Sequence, residues 1–238
     1  MAIWNALRIA TQVAGELGLD VPASLVSTSD KIASQLLSLM NAAGAELLMY
    51  FPWEQLAKEY APAIIANQDA YALPADFAYF RDQTQWDRTN RWPLMGPKSA
   101  QEWAFLKGSL VAALPRQRFR LQGGSFVLFP APTSALNIRA EYISEWWVGL
   151  GAGSAPVKDT ITLDTDLIYY NPWLIVKFVK FKFYELKGFP TAGVNADFMR
   201  AFDSQTSNDL GAEKLNMAGN VTNFYLGPGS VPDGSWVV

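Results

Sequence analysis

The residues that could do chemistry are most concentrated in one stretch, QTQWDRTNRWPLMGPKSAQEWAFLKG, which runs from Gln83 to Gly108. Acids, bases and aromatic rings lie within a few residues of each other there. As an active site, this stretch and the residues just before it would offer four carboxylates as general acids or bases: Asp76, Asp82, Asp87 and Glu102. The pattern marks none of them as an acid with a raised pKa and a catalytic partner.

The same stretch is better explained as architecture. Its centre is a group that we call the Trp86–Asn90 cluster: Trp86, Asp87, Arg88 and Asn90. Asp and Asn are common turn formers. Either Arg88 or Arg91 can pair with a carboxylate, such as that of Asp87, or stack on the ring of Trp86 or Trp92. We therefore predict that the cluster is mostly buried or hydrogen-bonded, and that it is structural rather than catalytic.

The composition narrows the possible chemistry further. The chain has 238 residues, no cysteine and no histidine. This excludes disulfides, thiol nucleophiles, triads that need imidazole, and zinc sites built on Cys or His. The formal net charge of -3 gives no general attraction to nucleic acid or to an anionic membrane. We expect no cofactor and no metal.

The N-terminus has no basic region followed by a continuous apolar stretch, so we expect no signal peptide. The most apolar run, WLIVKFVKFKFYEL, is interrupted by three lysines and is too short to span a bilayer. The sequence therefore predicts a soluble, intracellular protein without a membrane partner.

Three weaker candidate sites have simpler explanations. Asp164 and Asp166, in LDTDL, could bind a cation, but they lack further ligands at calcium-loop spacing, so we expect structural roles in a loop. The glycines of Gly149–Asp159 lack the GK[ST] ending of a phosphate loop, so we interpret this segment as a flexible linker. The lysines Lys177, Lys180 and Lys187 could face nucleic acid, but a solvated helix edge is the favoured explanation.

Helices are predicted at both ends of the chain. Residues 3–17 place Ile3, Leu7, Ala10, Ala14 and Leu17 on one face, and Gly18 ends that helix. A second helix starts at Ser29 or Asp30 and ends near Pro52. Its inner face would carry Ile32, Leu36, Leu39, Ala43 and Leu47.

A third helix is predicted from its end signals, with Asn171 as N-cap, Pro172 at the first position and Gly188 as C-cap. The alternation in KFVKFKF would also suit a strand. A fourth helix would bury Val194, Phe198, Ala201 and Phe202.

Between these helices the pattern is that of β-structure. In RFRLQGGSFVLF, the pair Gly123-Gly124 predicts a hairpin turn. The alternation in LNIRAEYI predicts a half-buried strand. Ser99 and Glu102 form a capping box for a short helix that Gly108 ends.

The predicted fold class is therefore α+β, an antiparallel helical bundle with an inserted β-rich domain, either a small sandwich or a barrel. The predicted divisions are residues 1–60 and 160–215 for the bundle, 61–159 for the insertion and 216–238 for an extended C-terminal tail. The tail cannot bury a core of its own, yet it carries Phe224, Tyr225 and Trp236. We expect it to be disordered in the free chain and to dock on a partner during assembly.

Several motifs, taken in order, resemble the head-to-tail adaptor proteins of tailed bacteriophages, also called head-completion or tail accessory proteins. The resemblance covers roughly residues 25–205 and departs from the family pattern in the tail and at the bulky residues 169–173. The similar motifs are Leu73–Phe77, Trp86–Lys107, Phe119–Pro132, Glu141–Trp146, Thr162–Asp166 and Lys180–Gly188.

The resemblance implies a structural virion protein, not an enzyme. It implies a ring, expected to be a dodecamer, between the portal and the first tail component, whether nozzle, stopper or tail tube. Genomic DNA would pass through the lumen without sequence-specific binding, and Lys177, Lys180 and Lys187 would lie on a lumen-facing or subunit-facing edge. The location would be the neck of the virion, after assembly in the host cytoplasm.

Two other function classes stay open at this point. A carboxylate-based enzyme similar to a glycosidase would need a cleft with two facing carboxylates about 5–9 Å apart. A monomeric binding module would remain a monomer in the presence of its partner.

Overall fold

The structure is a computed structural model that describes residues 3–108, 116–151 and 155–209. The predicted tail, with Phe224, Tyr225 and Trp236, lies outside these residues. The described part is α+β, as predicted, and its sheets are antiparallel. Its helices are α1 (Ala6–Leu17), α2 (Lys31–Tyr50), α3 (Ala100–Gly108), α4 (Pro172–Lys187) and α5 (Ala192–Asp209).

The described strands form three sheets. They are β1 (Trp4–Asn5), β2 (Ala57–Tyr60), β3 (Ala70–Ala72), β4 (Phe77–Phe80), β5 (Trp86–Asp87), β6 (Trp92–Pro93), β7 (Arg118–Gln122), β8 (Ser125–Phe129), β9 (Ile138–Ser144), β10 (Val148–Gly149) and β11 (Leu167–Ile168). The first sheet has the order β1-β11-β10. The second has the order β2-β9-β5-β6, with β4 also paired to β9, and the third has the order β3-β8-β7.

Local end signals set the helix boundaries. The Asp30 carboxylate accepts a hydrogen bond from the Ile32 amide, and the Asn171 side chain accepts one from the Trp173 amide. Gly188 ends α4 in the left-handed conformation, with φ of 70°. The helix interpretation of KFVKFKF is thereby confirmed, and α2 ends at Tyr50, just before Pro52.

The start of the first helix was predicted too early. Trp4 and Asn5 form β1, which pairs with β11, and the Asn5 side chain caps α1 by accepting a hydrogen bond from the Arg8 amide. Ile3 is 40% exposed, whereas Ile9 and Val13 are fully buried. Ala10 and Ala14 of the predicted inner face are buried, and the buried face also includes residues 6, 9 and 13.

The helical part packs around α4, which contacts α1, α2 and α5. Its buried residues include Ile175, Val176 and Val179. On α5, Phe198 is buried, while Val194, Ala201 and Phe202 are half-buried. Helices α1, α2, α4 and α5 therefore share one core, although their description as an antiparallel bundle remains a prediction.

By length and composition, α2 is the one helix in the described ranges that could cross a membrane. The apolar composition of α2 is also explained by packing in the protein core, where five of its residues are 0% exposed: Ala33, Leu36, Met40, Ala43 and Leu47. This burial is typical of a core helix, which passes the same test of length and composition.

The β-rich part has a second core between two sheets. Strands β7 and β8 form the predicted hairpin, and both turn glycines, Gly123 and Gly124, have the positive φ that such a turn requires. Tyr60 from β2 lies 5.8 Å from Phe126 of β8, measured between ring centroids. The second and third sheets therefore face each other, which favours the sandwich alternative.

Strand β9 belongs to both cores. Ile138, Ala140 and Tyr142 face the sandwich core, as their alternation predicted, whereas Ile143 lies in the helical core. The chain enters the second sheet beside the point where it leaves, because Ala57 of β2 pairs with Ile143. Strand β2, the first strand of the β-rich part, thus starts four residues before the proposed boundary at residue 61. The domain limits remain a proposal.

The residues that follow β9 lock the sheet to α2. Trp147 is 1% exposed, and a Cβ placed on Gly44 would lie 2.2 Å from its ring. The Tyr170 hydroxyl donates a hydrogen bond to the Gly44 carbonyl at 3.1 Å, and the Trp147 and Tyr170 rings are 5.7 Å apart. Only a residue without a side chain fits at position 44.

The interpretation of Gly149–Asp159 as a flexible linker is wrong at both ends of the segment. Gly149 is buried in β10, where it pairs with Leu167 and contacts the Tyr169 ring. Lys158 pairs with Val148, and its ammonium lies 2.7 Å from the Asp166 carboxylate. Strand pairing and a buried ion pair position these residues. Residues 152–154 lie outside the described ranges.

Asp164 and Asp166 have structural roles, as predicted, and the described residues contain no group of three metal-ligating side chains. The Asp164 carboxylate accepts hydrogen bonds from the Leu25 and Val26 amides and from the Ser24 hydroxyl. Asp166, 1% exposed, accepts from Lys158 and from the amides at positions 162 and 163.

Burial alone would raise the pKa of Asp166, but Lys158 and the two amides together hold the pKa of this carboxyl below its ordinary value of 3.8. Because the pKa of Asp166 is lower in the folded chain than in the unfolded chain, ionisation of this carboxyl stabilises the fold. This contribution to the free energy of unfolding is complete at pH values above the unfolded-state pKa. That stability is lost as the pH falls through the folded pKa.

We expect Gly44→Ala to lower the free energy of unfolding by about 2 kcal/mol, because the new methyl group overlaps the Trp147 ring. Gly15→Ala is the matched control: it lies in α1, nothing is within 4 Å of its added Cβ, and it should stabilise the chain by about 0.5–1 kcal/mol. Urea unfolding measures both. Equal stability of the two variants would contradict the close packing at Gly44.

We expect Asp166→Asn to lower the free energy of unfolding by about 2 kcal/mol near pH 7, because the Lys158 ammonium loses its charged acceptor. The variant should also lose less stability than the wild type between about pH 5 and 3. Urea unfolding across this pH range tests both effects. Asp203→Asn, at an exposed position of α5, is the control, and an equal pH dependence in all three chains would refute the expectation.

Candidate functional site

The Trp86–Asn90 cluster lies at the end of the sandwich where β5 pairs with β9 and β6. Asp87 is its one buried charged residue, 2% exposed. The Asp87 carboxylate accepts hydrogen bonds from the amides of Thr89 and Asn90 and from the Asn90 side chain at 2.6 Å. Trp86 is half-buried, and Arg88 and Asn90 are exposed. Asp87 therefore closes a turn.

Arg88 pairs with a carboxylate, which was one of the predicted alternatives, but that carboxylate is not Asp87. The Arg88 guanidinium lies 2.9 Å from Glu59 on β2 rather than on Asp87, and 60% of its side chain is exposed. Asp87 is already satisfied by the two amides and the Asn90 side chain, so it has no need of a cation. A different arginine, Arg116, lies over Trp92, 5.6 Å from the ring centroid.

Arg88 borders a shallow depression of about 380 Å³ on the face of the second sheet. Three carboxylates lie in its lining, each paired with an arginine. Glu59 is 2.9 Å from Arg88, and Arg81 bridges Glu54 at 2.6 Å and Glu141 at 3.4 Å. We call this surface the charged sheet face. Its alternating charges can pair with each other or with a polar partner.

Beside this face, Asp76 is a buried acid that the sequence pattern included among possible catalysts. Its carboxylate accepts hydrogen bonds from Lys58 at 2.6 Å, Ser144 at 2.7 Å and Tyr142 at 3.0 Å. Burial raises the pKa of Asp76, but these three donors outweigh it and keep the pKa below the ordinary value. An ionised, fully hydrogen-bonded carboxylate joins β2 to β9 and is unsuited to donating a proton.

The three lysines do not form one free edge. The Lys180 ammonium lies 3.2 Å from the Glu16 carboxylate on α1, within the same chain. Burial raises the pKa of Glu16, while Gln12, Lys180 and Lys177 lower it, and the net result is below the ordinary value. The Lys187 ammonium lies 5.3 Å from the Phe183 ring centroid. Lys180 therefore helps to hold α1 against α4.

In contrast to the charged sheet face, a second concave surface is apolar. It is a groove between the end of α2 and helices α4 and α5. It has a volume of about 400 Å³, and we call it the Phe198 groove. Its lining consists of Tyr50, Phe178, Phe181, Asn195, Phe198, Met199 and Phe202. This groove was not predicted from the sequence, in which Phe198 and Phe202 were expected to lie on the inner face of a helix. The signal was the number of aromatic rings on two successive helices.

We expect Asp87→Ala to destabilise the fold by about 1–3 kcal/mol, because the Thr89 and Asn90 amides lose their acceptor. Arg88→Ala should cost about 1 kcal/mol or less, since its pair with Glu59 is exposed. Arg200→Ala is the matched control, because Arg200 forms an exposed pair with Asp197 on α5. Thermal unfolding ranks the three variants. A larger loss for Arg88→Ala than for Asp87→Ala would overturn this assignment.

Comparison with known proteins gives a family match over most of the chain. The model of the SU10 adaptor protein family matches residues 5–221, which include both cores and the Trp86–Asn90 cluster. No curated protein matches the chain. The family match indicates a phage adaptor-type protein with a structural role in the virion, where it interacts with other head or tail proteins. The chain belongs to the SU10 adaptor protein family.

Proposed function

We propose that this protein is a head-to-tail adaptor that forms a ring between the portal and the first tail component. The ring, a dodecamer, sits in the neck of the virion and continues the DNA channel. The observation that carries this proposal is the family match over residues 5–221. The order of the motifs from Leu73–Phe77 to Lys180–Gly188 supports it.

A closed ring needs two different contact faces on each subunit, because one surface meets the next subunit and a different surface meets the previous one. The described surface offers two candidates for such contacts: the charged sheet face, which is rich in paired acids and bases, and the Phe198 groove, which is lined by aromatic rings. Each of them would need a complementary surface on its neighbour.

The ion pair of Lys180 supports a channel that DNA passes without specific binding. Phosphate contacts from Lys and Arg set most of the affinity of proteins for DNA. Lys180 is paired with Glu16, and the chain carries a net charge of -3. In the ring, Lys177, Lys180 and Lys187 act at most as a weak electrostatic guide or as part of a subunit contact.

The C-terminal tail completes the proposal. Phe224, Tyr225 and Trp236 dock on the portal or on a neighbouring subunit in the assembled particle. Repetition of this contact around a ring multiplies its effect, so that a modest contact per subunit suffices.

The decisive measurement is a cryo-EM reconstruction of the neck of the phage particle. We expect a ring of this protein directly below the portal, with the helices α1–α5 and the sandwich placed as described. The same map locates the tail aromatics. A neck without a ring of this chain would refute the proposed function, and a ring of another symmetry would refute only the dodecamer.

A further inference from the structure

The Phe198 groove has a well-defined floor. The rings of Phe178 and Phe198 stack with centroids 4.4 Å apart and planes 15° from parallel. Phe181 continues the stack, with its centroid 6.3 Å from that of Phe198. Phe178 and Phe198 are 2% and 5% exposed. These rings are fixed by the packing of α4 against α5, so the floor is present before anything binds.

The rim of the groove is apolar and open. Tyr50, at the end of α2, is 55% exposed, and Met199, on α5, is 44% exposed. Large apolar side chains so exposed around a concave surface mark a docking site more often than an ordinary surface. Among the described lining residues, the polar groups are the Asn195 amide and the Tyr50 hydroxyl, and none of these residues is charged. The groove therefore suits an uncharged, aromatic or aliphatic segment.

The chain carries such a segment directly after the helix that lines the groove. Helix α5 ends at Asp209, and 29 residues follow it. From Leu215 to Pro232 this segment has no charged residue, and at its middle lie the consecutive apolar residues Phe224, Tyr225 and Leu226. These three residues lie beyond the part that the family model matches, residues 5–221.

The distances allow this segment to return to the groove of its own chain. From Asp209 back to Asn195 is 14 helical residues, or about 21 Å at ~1.5 Å per residue. The linker from residue 210 to residue 223 spans up to about 45 Å when extended. It is therefore more than long enough to turn back along α5 and to place the three apolar residues at Met199.

We propose that in the free subunit the segment around Phe224, Tyr225 and Leu226 docks in the Phe198 groove of its own chain. The aromatic side chains lie on the Phe178–Phe198 stack between Tyr50 and Met199. The covalent tether favours this occupant over a second copy, because a segment of the same chain is present at a high effective concentration, in the millimolar range for a short tether.

This docking replaces, for the free subunit, the expectation that the tail is disordered before assembly. It also covers an apolar surface that would otherwise promote association between free chains. A partner that uses the tail must then compete with the groove, so release of the tail is a step of assembly. The inference concerns the isolated chain and holds whether or not the chain forms a ring in the virion.

The natural chain has no cysteine, which permits a direct test by disulfide formation. In the Met199→Cys, Tyr225→Cys chain, we expect mild oxidation to give a disulfide within one chain, at a rate independent of protein concentration. The matched control is Leu186→Cys, Tyr225→Cys. Leu186 is an exposed apolar residue of α4, 58% exposed, and lies outside the groove lining. The control should form its disulfide at a rate lower by a factor of about ten or more.

Each other outcome would overturn the proposal. Equal rates in the two chains would show a tail without a preferred position. A disulfide between two chains would assign the groove to a second copy, and no disulfide in either chain would place the tail elsewhere. None of these results bears on the ring in the neck, which the reconstruction tests separately.

Hydrogen exchange of the chain without cysteines provides an independent measurement. We expect the amides of residues 224–226 to exchange about tenfold more slowly in the wild type than in Met199→Glu, which places a charge at the rim. Leu186→Glu introduces the same charge outside the groove and should retain the protection. Unprotected amides in the wild type would refute the docking.

Discussion

The close contact between Gly44 and Trp147 is the constraint on which the relation between the two halves of the protein depends. The Trp147 indole occupies the space in which any residue other than glycine at position 44 would place its side chain. Tyr170 packs on this indole and donates its hydroxyl to the Gly44 carbonyl, and Trp53 packs on Tyr170. Three large rings thus fill the junction around one glycine, which fixes where the sheet meets the helices.

Much of the helical architecture could be predicted from the sequence, because its signals are local. A capping residue such as Asp30 acts on amides two residues away, and Gly188 acts on its own backbone. The junction could not be predicted in this way. Gly44 and Trp147 are distant in the chain. No periodic pattern in the sequence indicates that the missing side chain at Gly44 of α2 makes room for the Trp147 ring, which follows β9.

The candidate site shows the same division between local and long-range information. The role of Asp87 as a turn former could be predicted from its neighbours Thr89 and Asn90. The partner of Arg88 could not, because Glu59 is brought beside it only by the pairing of β2 and β5 with β9. The Phe198 groove was missed for a related reason: whether an aromatic ring fills a core or lines a groove depends on how closely α5 approaches α2.

The side-by-side pairing of Ala57 with Ile143 has a mechanical consequence. The chain crosses from the helices to the sandwich twice, and the two crossings are hydrogen-bonded to each other in one antiparallel ribbon. A ribbon of this kind resists twisting and lateral bending more than two separate linkers would, since both strands have to deform together. We therefore expect a load applied to the sandwich to be carried into the helices through the second sheet, so that the two halves tilt together.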